Sequence, residues 1–165
     1  MHEWTARVVP LFRDAEALWM TLSGKCRNRI RKGLKNGLEV SDCDDPAFPE
    51  EHYRQLLDVY ADQGLSPPVP LAFYQSMFRH LKPSGLFTVL IKHQGRPIAS
   101  GFFPHDDRWV YSVSTSSYSR YQNLSPNELM HWTVRNLFTT TGIPQMREMG
   151  LRRSLKKGSR FFLGI

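Results

Sequence analysis

Residues 123–132 read NLSPNELMHW, a pattern that is typical of the start of a helix. Ser125 suits the N-cap and Pro126 the first helical position, while Glu128 stands where its carboxylate would close a capping box with Ser125. Apolar residues recur with helical spacing behind this start until Gly142, a residue that commonly ends helices. The pattern predicts an amphipathic helix of about seventeen residues that buries one face in a core.

The amino end of such a helix carries unpaired N–H groups and a partial positive charge, which together attract phosphate or carboxylate. Two interpretations are open from the residue types. Either the side chains of Ser125 and Glu128 satisfy those N–H groups themselves, or the helix start receives an anionic ligand.

Length and composition indicate a single domain with a genuine core, because the chain has 165 residues of which 41% are hydrophobic. No apolar run approaches the roughly 18 residues that cross a bilayer, and the opening sequence MHEWTARVVP lacks the pattern of a signal peptide. We therefore expect a cytoplasmic protein. Cys26 and Cys43 have neither CxxC spacing nor a nearby histidine, so we expect no disulfide framework and no metal site.

Positive charge is concentrated at two places in a chain whose net charge is +7. Residues 25–35, KCRNRIRKGLK, carry six basic side chains and no acid, and a second basic block spans residues 147–160. On a helix, Lys25, Arg29 and Lys32 lie on one side of a narrow apolar row that comprises Leu22, Cys26, Ile30 and Leu34. This basic helix suggests an anionic partner; the alternative is a solvated face paired with the acidic segment that follows it.

The remaining segments predict a strand near residue 39, two helices, three strands joined by hairpin turns, the long helix and a last strand at QMREM. This order indicates an α+β fold with a mostly antiparallel mixed sheet flanked by helices. We expect one domain over residues 1–165, with an N-terminal helical segment over 1–38 and the sheet and other helices over 39–165.

Two stretches carry a resemblance to a known family. LSGKCRNRIRKGLKNGLEV resembles the basic helix and first strand of the second GNAT-like half of FemAB-type transferases, the peptidoglycan-branching enzymes and their relatives. STSSYSRYQNLSPNELMHWTVRNLFTTTGIPQMREMG resembles the strand, helix and strand of the same family. The resemblance implies a GNAT-like acyltransferase fold, in which two strands splay apart and the long helix points its amino end at the phosphates of the acyl donor.

The chain also departs from the family pattern. It has Glu148 where the family usually has Asp, and Lys156 is one of several basic residues where the family has a Lys. The loop before the long helix contains no glycine, whereas the common GNAT pyrophosphate loop is rich in it. FemAB-type enzymes carry two GNAT-like halves and this sequence has room for one, so the chain is either a single-domain relative or a fragment, with a second GNAT-like domain or a homodimer partner as a candidate companion.

The resemblance implies N-acyl or aminoacyl transfer to an amine acceptor, with no bound cofactor and with acyl-CoA or aminoacyl-tRNA as cosubstrate. It places Ser114 near the reacting carbonyl and makes Tyr111 a candidate proton donor to the leaving group. Glu148 is the candidate base or amine anchor. The donor would be held by Arg120 and by the helix start at Leu124, Ser125 and Asn127, and Lys25, Arg29, Lys32 and Lys156 are candidate contacts for an anion or the acceptor. His105 and His131 are expected on a turn and on the polar face of the helix, without a role.

Two other functional classes remain open on the sequence. The basic helix could belong to a noncatalytic nucleic-acid-binding module, although no helix-turn-helix, zinc or RRM signature accompanies it. The chain could also be a catalytically inactive half of a two-domain transferase, in which case neither acyl-CoA nor RNA would stabilise it alone.

Overall fold

The structure, a computed structural model, describes residues 3–11 and 14–152 of the chain. Its strands are β1 (Glu3–Pro10), β2 (Leu38–Asp42), β3 (Leu86–His93), β4 (Arg96–Pro104), β5 (Trp109–Ser112), β6 (Ser114–Ser117) and β7 (Gln145–Arg152). Its α-helices are α1 (Ala15–Thr21), α2 (Gly24–Lys35), α3 (Phe48–Ala61), α4 (Leu71–Leu81) and α5 (Pro126–Thr141), and a 3₁₀ helix, Ser119–Leu124, precedes α5. The expected α+β fold is confirmed.

The strands form two sheets that share one continuous run of chain. The first sheet has the order β2-β3-β4-β6 with antiparallel neighbours, and the second has the order β1-β7-β5, in which β5 and β7 are parallel. Residues 109–117 pair with β7 through β5 and with β4 through β6. Between them, the Val113 amide donates to the Phe102 carbonyl at 3.1 Å. The chain therefore changes its pairing partner at Val113.

The central strands separate two cores because successive side chains point to opposite faces of a sheet. Ile91 and Phe103 lie in the core that also contains residues of α2 and α5, whereas Leu90 and Phe102 lie in the core with α3 and α4. We call these the α5 face and the α3 face of the sheet.

Helix α5 begins at Pro126 and ends before Gly142, whose φ of 85° is the left-handed conformation expected of a helix-ending glycine. The predicted length and stop are therefore confirmed. The helix packs very closely on β4. A Cβ atom on Gly101 would lie 2.7 Å from the Met130 sulfur and 2.6 Å from the Phe103 ring, so only a hydrogen fits there.

Helix α2 is the predicted basic helix, and it packs against the first turns of α5. Its N-cap, Ser23, accepts a hydrogen bond from the Cys26 amide at 3.2 Å. Cys26 and Ile30 are buried as expected, but Leu34 is 58% exposed. Gly33 makes the contact instead, because a Cβ atom there would lie 3.3 Å from the Leu129 Cβ. The backbones of α2 and α5 thus approach closely at Gly33, and Gly33 rather than Leu34 lies on the buried side of α2.

Three expectations about elements were incomplete. Among the described residues, the segment 1–38 contains strand β1, which pairs antiparallel with β7, ahead of the helices that begin at Ala15. The stretch RWVYSVSTSS forms β5 and β6 in separate sheets rather than one strand of a meander. The last strand, predicted at QMREM, extends over Gln145–Arg152 and pairs with both β5 and β1. Each difference depends on contacts that are distant in sequence.

Two histidines of the described residues are buried, one on each face of the sheet. His52 of α3 is 0% exposed and His131 of α5 is 8% exposed, so the placement of His131 on a polar face was wrong. Burial lowers the pKa of His52 to about 3 and that of His131 to about 4, because it disfavours the charged ring. Both side chains are therefore neutral in the folded protein near neutral pH.

The packing of α5 on β4 predicts that Gly101→Ala destabilises the protein. The added methyl overlaps the Met130 sulfur and the Phe103 ring, so the helix must shift away from the sheet. We expect a loss of about 1–3 kcal/mol in the free energy of unfolding, measured by urea denaturation. Gly24→Ala is the matched control, because a Cβ atom there meets nothing within 4 Å. Equal stability of the two variants would contradict this packing.

The buried histidines predict that stability decreases as the pH falls. An unfolded histidine has a pKa of about 6.5, so below that pH the unfolded chain binds protons that the folded chain excludes, and unfolding becomes easier. Between about pH 7.5 and pH 5 each histidine should lower the free energy of unfolding by about 2 kcal/mol. His131→Gln should reduce this loss, while the same change at exposed His80 should not. If the free energy of unfolding of the His131 variant fell with pH as much as that of the wild type, the assignment of His131 as a buried neutral histidine would be wrong.

Candidate active site

The change of partner at Val113 opens a gap between two strands that start as a parallel pair. The ladder between β5 and β7 ends at Ser112 and Glu148. Beyond this point β6 pairs with β4, while the rest of β7 has β1 as its only partner among the described strands. The chain then returns through the 3₁₀ helix into α5, so the amino end of α5 lies at the end of the sheet where the strands have parted.

The start of α5 does not form the expected capping box. Ser125 occupies the N-cap, but its backbone is left-handed, with φ 63° and ψ 44°, and its side chain makes no capping hydrogen bond. A capping side chain usually projects from an extended N-cap backbone, which explains the failure of the sequence prediction. The Glu128 carboxylate instead accepts from the Arg29 guanidinium at 2.6 Å. The first N–H groups of α5 are therefore not satisfied by either side chain.

Basic side chains of α2 lie beside this helix start. Lys25, Arg29 and Lys32 are exposed, and Arg29 neutralises the Glu128 carboxylate that would otherwise oppose an anion at the start of α5. Lys156, the fourth candidate for anion or acceptor binding, lies outside the described residues. The structure thus brings three of the four candidates to the α5 face.

The other proposed donor-binding residues surround the 3₁₀ helix. Arg120 is exposed and lies over the rings of Tyr118 and Tyr121, with its guanidinium carbon 5.4 Å and 5.0 Å from the two ring centres. Leu124 packs partly against the α5-face core. The Asn127 side-chain oxygen is buried and has no hydrogen-bond partner among the described residues. Arg120 therefore packs on two aromatic rings and forms no ion pair with a carboxylate of the described residues.

Glu148 lies where the two strands part and faces α5. One carboxylate oxygen, Oε1, accepts a short hydrogen bond from the buried Arg135 and lies 3.9 Å from His131 Nδ1. The other oxygen, Oε2, is buried without a hydrogen-bond partner among the described residues. Glu148 therefore forms a buried ion pair with Arg135 of α5. A carboxylate with one fixed and one unpartnered oxygen can accept a proton or an N–H group.

Ser114 of β6 and Tyr111 of β5 lie near the gap but have different surroundings. The Ser114 hydroxyl lies on the α3 face, 2.8 Å from His52 Nε2 and 3.3 Å from the Tyr74 hydroxyl. Tyr111 is half-buried and stands opposite Arg147 in the parallel ladder between β5 and β7. Arg147 in turn lies 4.0 Å over the Trp109 ring. Glu148, Ser114 and Tyr111 are thus near one break in the sheet, on both of its faces.

Sequence reasoning missed His52, Gln55 and Arg135. His52 and Gln55 occupy the buried face of α3 together with Phe48 and Leu56, at spacings of three and four residues. Polar residues at apolar helical positions are a signal that could have been read from the sequence. Arg135 follows His131 by four residues on α5, and its role depends on the distant Glu148.

Two negative findings hold for the described part of the chain. No group of three or more His, Cys, Asp or Glu side chains in residues 3–11 and 14–152 is arranged to hold a metal ion. None of the described helices is both long enough and apolar enough to cross a bilayer.

Solved structures share this fold at low sequence identity. FemX superposes with a TM-score of 0.79 at 11% identity, over 96% of this chain and 56% of that chain. The C-terminal domain of a protein named as a lysylphosphatidylglycerol synthetase, from Agrobacterium fabrum, gives 0.55 at 12% identity, over 86% of this chain and 47% of the other. A GNAT family acetyltransferase from Staphylococcus aureus gives 0.51 at 8% identity, over 78% and 98% of the two chains. The chain thus spans about half the length of the first two structures.

No curated protein matches the chain. The sequence model of the acetyltransferase (GNAT) domain, however, matches residues 24–147, which begin with helix α2 and extend into strand β7. This match covers strands β2 to β6, the long helix and the first three residues of β7. The chain belongs to the GNAT acetyltransferase family.

Proposed function

We propose that the protein is an N-acyltransferase or aminoacyltransferase of FemAB type, which transfers an acyl group from acyl-CoA or aminoacyl-tRNA to an amine acceptor. The observation that carries the proposal is the gap that opens between β6 and β7 at Glu148, beside a helix start whose N–H groups lack a side-chain cap. A phosphate-bearing donor fits such a helix start by charge and by hydrogen bonding.

The donor would bind on the α5 face. The backbone N–H groups at Asn127 and Glu128 would hold a phosphate, with Leu124 and Ser125 shaping the turn and Arg120 adding a charge-assisted hydrogen bond. The exposed basic residues of α2 would contact further phosphates, which an RNA donor has in greater number than CoA. Because both donors are cytoplasmic compounds, we propose that the protein acts in the cytoplasm.

The reaction requires a neutral amine and stabilisation of the negative charge that develops on the carbonyl oxygen. We assign the stabilisation of the carbonyl oxygen to backbone N–H groups near Ser114, at the break in the strand. Glu148 would take a proton from the attacking amine through Oε2, since Arg135 occupies Oε1. Tyr111 would donate a proton to the leaving group. A second GNAT-like domain or a second copy of the chain could complete the acceptor side, given the share of FemX that this chain spans.

The donor proposal predicts stabilisation of the folded protein by one of two ligands. Acetyl-CoA or an aminoacyl-tRNA at about one hundred times its dissociation constant should add about 2.7 kcal/mol, or roughly 5–10 °C in melting temperature. The effect of an RNA donor should weaken by about one log unit per phosphate contact for each tenfold rise in salt, whereas CoA should depend less on salt. Arg120→Ala should weaken binding about tenfold or more, and exposed Arg108→Ala is the matched control. If neither donor stabilises the chain at low salt, the proposal fails.

The role of Glu148 predicts that Glu148→Gln lowers turnover about a hundredfold or more. Glutamine keeps the shape and an acceptor for Arg135, whereas alanine would leave a buried guanidinium unpaired at a cost of about 3–5 kcal/mol. Turnover is measured as donor consumption with a primary amine, and folding by thermal denaturation. Exposed Glu39→Gln is the control. Wild-type turnover in the folded Glu148 variant would make the residue a structural partner of Arg135 only.

A further inference from the structure

A chain of hydrogen bonds crosses the α3 face from Glu51 to Ser114, and donor and acceptor roles can be assigned along all of it. Glu51 Oε1 accepts from Gln55 Nε2 at 3.0 Å and from the Tyr118 hydroxyl at 3.1 Å. An ionised carboxylate has no proton to donate, so the Gln55 amide must present its NH₂ group to Glu51. Its carbonyl oxygen then points the other way, toward Ser100.

The orientation of Gln55 fixes the tautomer of His52. The Ser100 hydroxyl lies 2.7 Å from Gln55 Oε1, and because that oxygen can only accept, Ser100 must donate to it. With its proton used, Ser100 Oγ can only accept from His52 Nδ1, 2.9 Å away. Neutral His52 therefore carries its proton on Nδ1, and Nε2 is an acceptor.

The tautomer of His52 in turn fixes the Ser114 hydroxyl. His52 Nε2 lies 2.8 Å from Ser114 Oγ and can only accept, so Ser114 donates its single proton to the ring. The Tyr74 hydroxyl, 3.3 Å from the same oxygen, donates to it. A hydroxyl oxygen has two lone pairs, and one remains. Ser114, which is only half-buried beside the break at Val113, can thus accept one more hydrogen bond and can donate none.

We propose that His52 is a positioning residue that holds the Ser114 hydroxyl as a hydrogen-bond acceptor, and that this acceptor binds an N–H group of the amine substrate on the α3 face. The assignment rests on the proposed function for the identity of the ligand as the acceptor amine. It also excludes the Ser114 hydroxyl from stabilising the carbonyl oxygen, a task that needs a donor and is left to backbone N–H groups.

His52 does not act as the base. The ring is enclosed by Tyr74 and Phe102, with ring centres 5.0 Å and 4.9 Å away, and by Phe48 on its own helix. Its hydrogen-bond partners among the described residues are the hydroxyls of Ser100 and Ser114 and include no carboxylate, so a protonated ring would be a buried and uncompensated charge. The Glu51 carboxylate is reached only through Gln55, whose amide cannot relay a proton. The ring orients Ser114 and does not accept the amine's proton.

The charges on the two faces are consistent with binding of the amine on the α3 face and of the donor on the α5 face. Helix α2, which packs against α5, has six basic residues and no acid. Helix α3, on the other face, carries an excess of acid, with Glu50, Glu51 and Asp58 against Arg54. An amine in its protonated resting form is attracted to the α3 face, while a phosphate-bearing donor is attracted to the α5 face.

The first test measures the His52 tautomer by long-range ¹H–¹⁵N NMR on the full chain with ¹⁵N-labelled histidine, and it needs no substitution. We expect a protonated Nδ1 and an unprotonated Nε2 at about pH 7.5. A proton on Nε2, or a doubly protonated ring at this pH, would overturn the proposal.

The second test adds 2,2,2-trifluoroethylamine, a primary amine that is mostly neutral at about pH 7.5. We expect it to move the His52 Nε2 resonance in the wild type and in Ser116→Ala, a change on the same face of β6, and not in Ser114→Ala. A shift that persists in Ser114→Ala, or that is absent from the wild type, would overturn the amine contact. The thermal stabilisation that the donor gives to Ser114→Ala and to the wild type is measured in parallel. If the amine contact is overturned but the donor still stabilises the protein, the proposed function stands. If the donor does not stabilise even the wild type, the proposed function itself has failed.

Discussion

The change of pairing partner at Val113 is the constraint on which the candidate site depends. Because β5 pairs with β7 and β6 pairs with β4, one strand joins the two sheets and parts from its parallel neighbour within a single residue. The gap that results is bounded by backbone that belongs to a regular ladder on each side, so its width does not rely on a flexible loop. It is also the place where side chains from both faces of the molecule approach each other, since Glu148 points toward α5 and Ser114 toward α3.

Both sides of the gap are held by buried polar groups rather than by surface contacts. On the α5 face, the pair formed by Arg135 and Glu148 ties the long helix to β7 at the end of the parallel ladder. On the α3 face, His52 ties helix α3 to both β4 and β6 through Ser100 and Ser114. Partners buried in a medium of low dielectric are costly to separate, because each is left without its hydrogen bond. These contacts restrict the sheet to one arrangement at the point where its strands diverge.

The sequence predicted the elements whose signals are local. Pro126 and Gly142 marked the ends of α5 correctly, and the row of Cys26 and Ile30 identified the buried side of α2. It did not predict β1, whose partner β7 begins more than a hundred residues later, nor the break at Val113, which depends on competition between β4 and β7. The capping box failed because Ser125 adopts a left-handed backbone that residue type alone does not reveal. Within the candidate site, Glu148 and Ser114 were proposed from the resemblance, but their hydrogen-bond partners Arg135 and His52 come from elements distant in sequence.

The opposite charges of α2 and α3 bear on the order in which the two proposed ligands, the donor and the amine, would bind. A sheet and a helix on each side of it separate the two charged surfaces by roughly 20 Å, whereas a charge in physiological salt is felt over only about 8 Å. Under the proposed function, each surface would therefore attract its own ligand whether or not the other surface is occupied. Electrostatic attraction would therefore not determine whether the donor or the amine binds first. Any obligatory binding order would have to arise from contacts inside the gap itself.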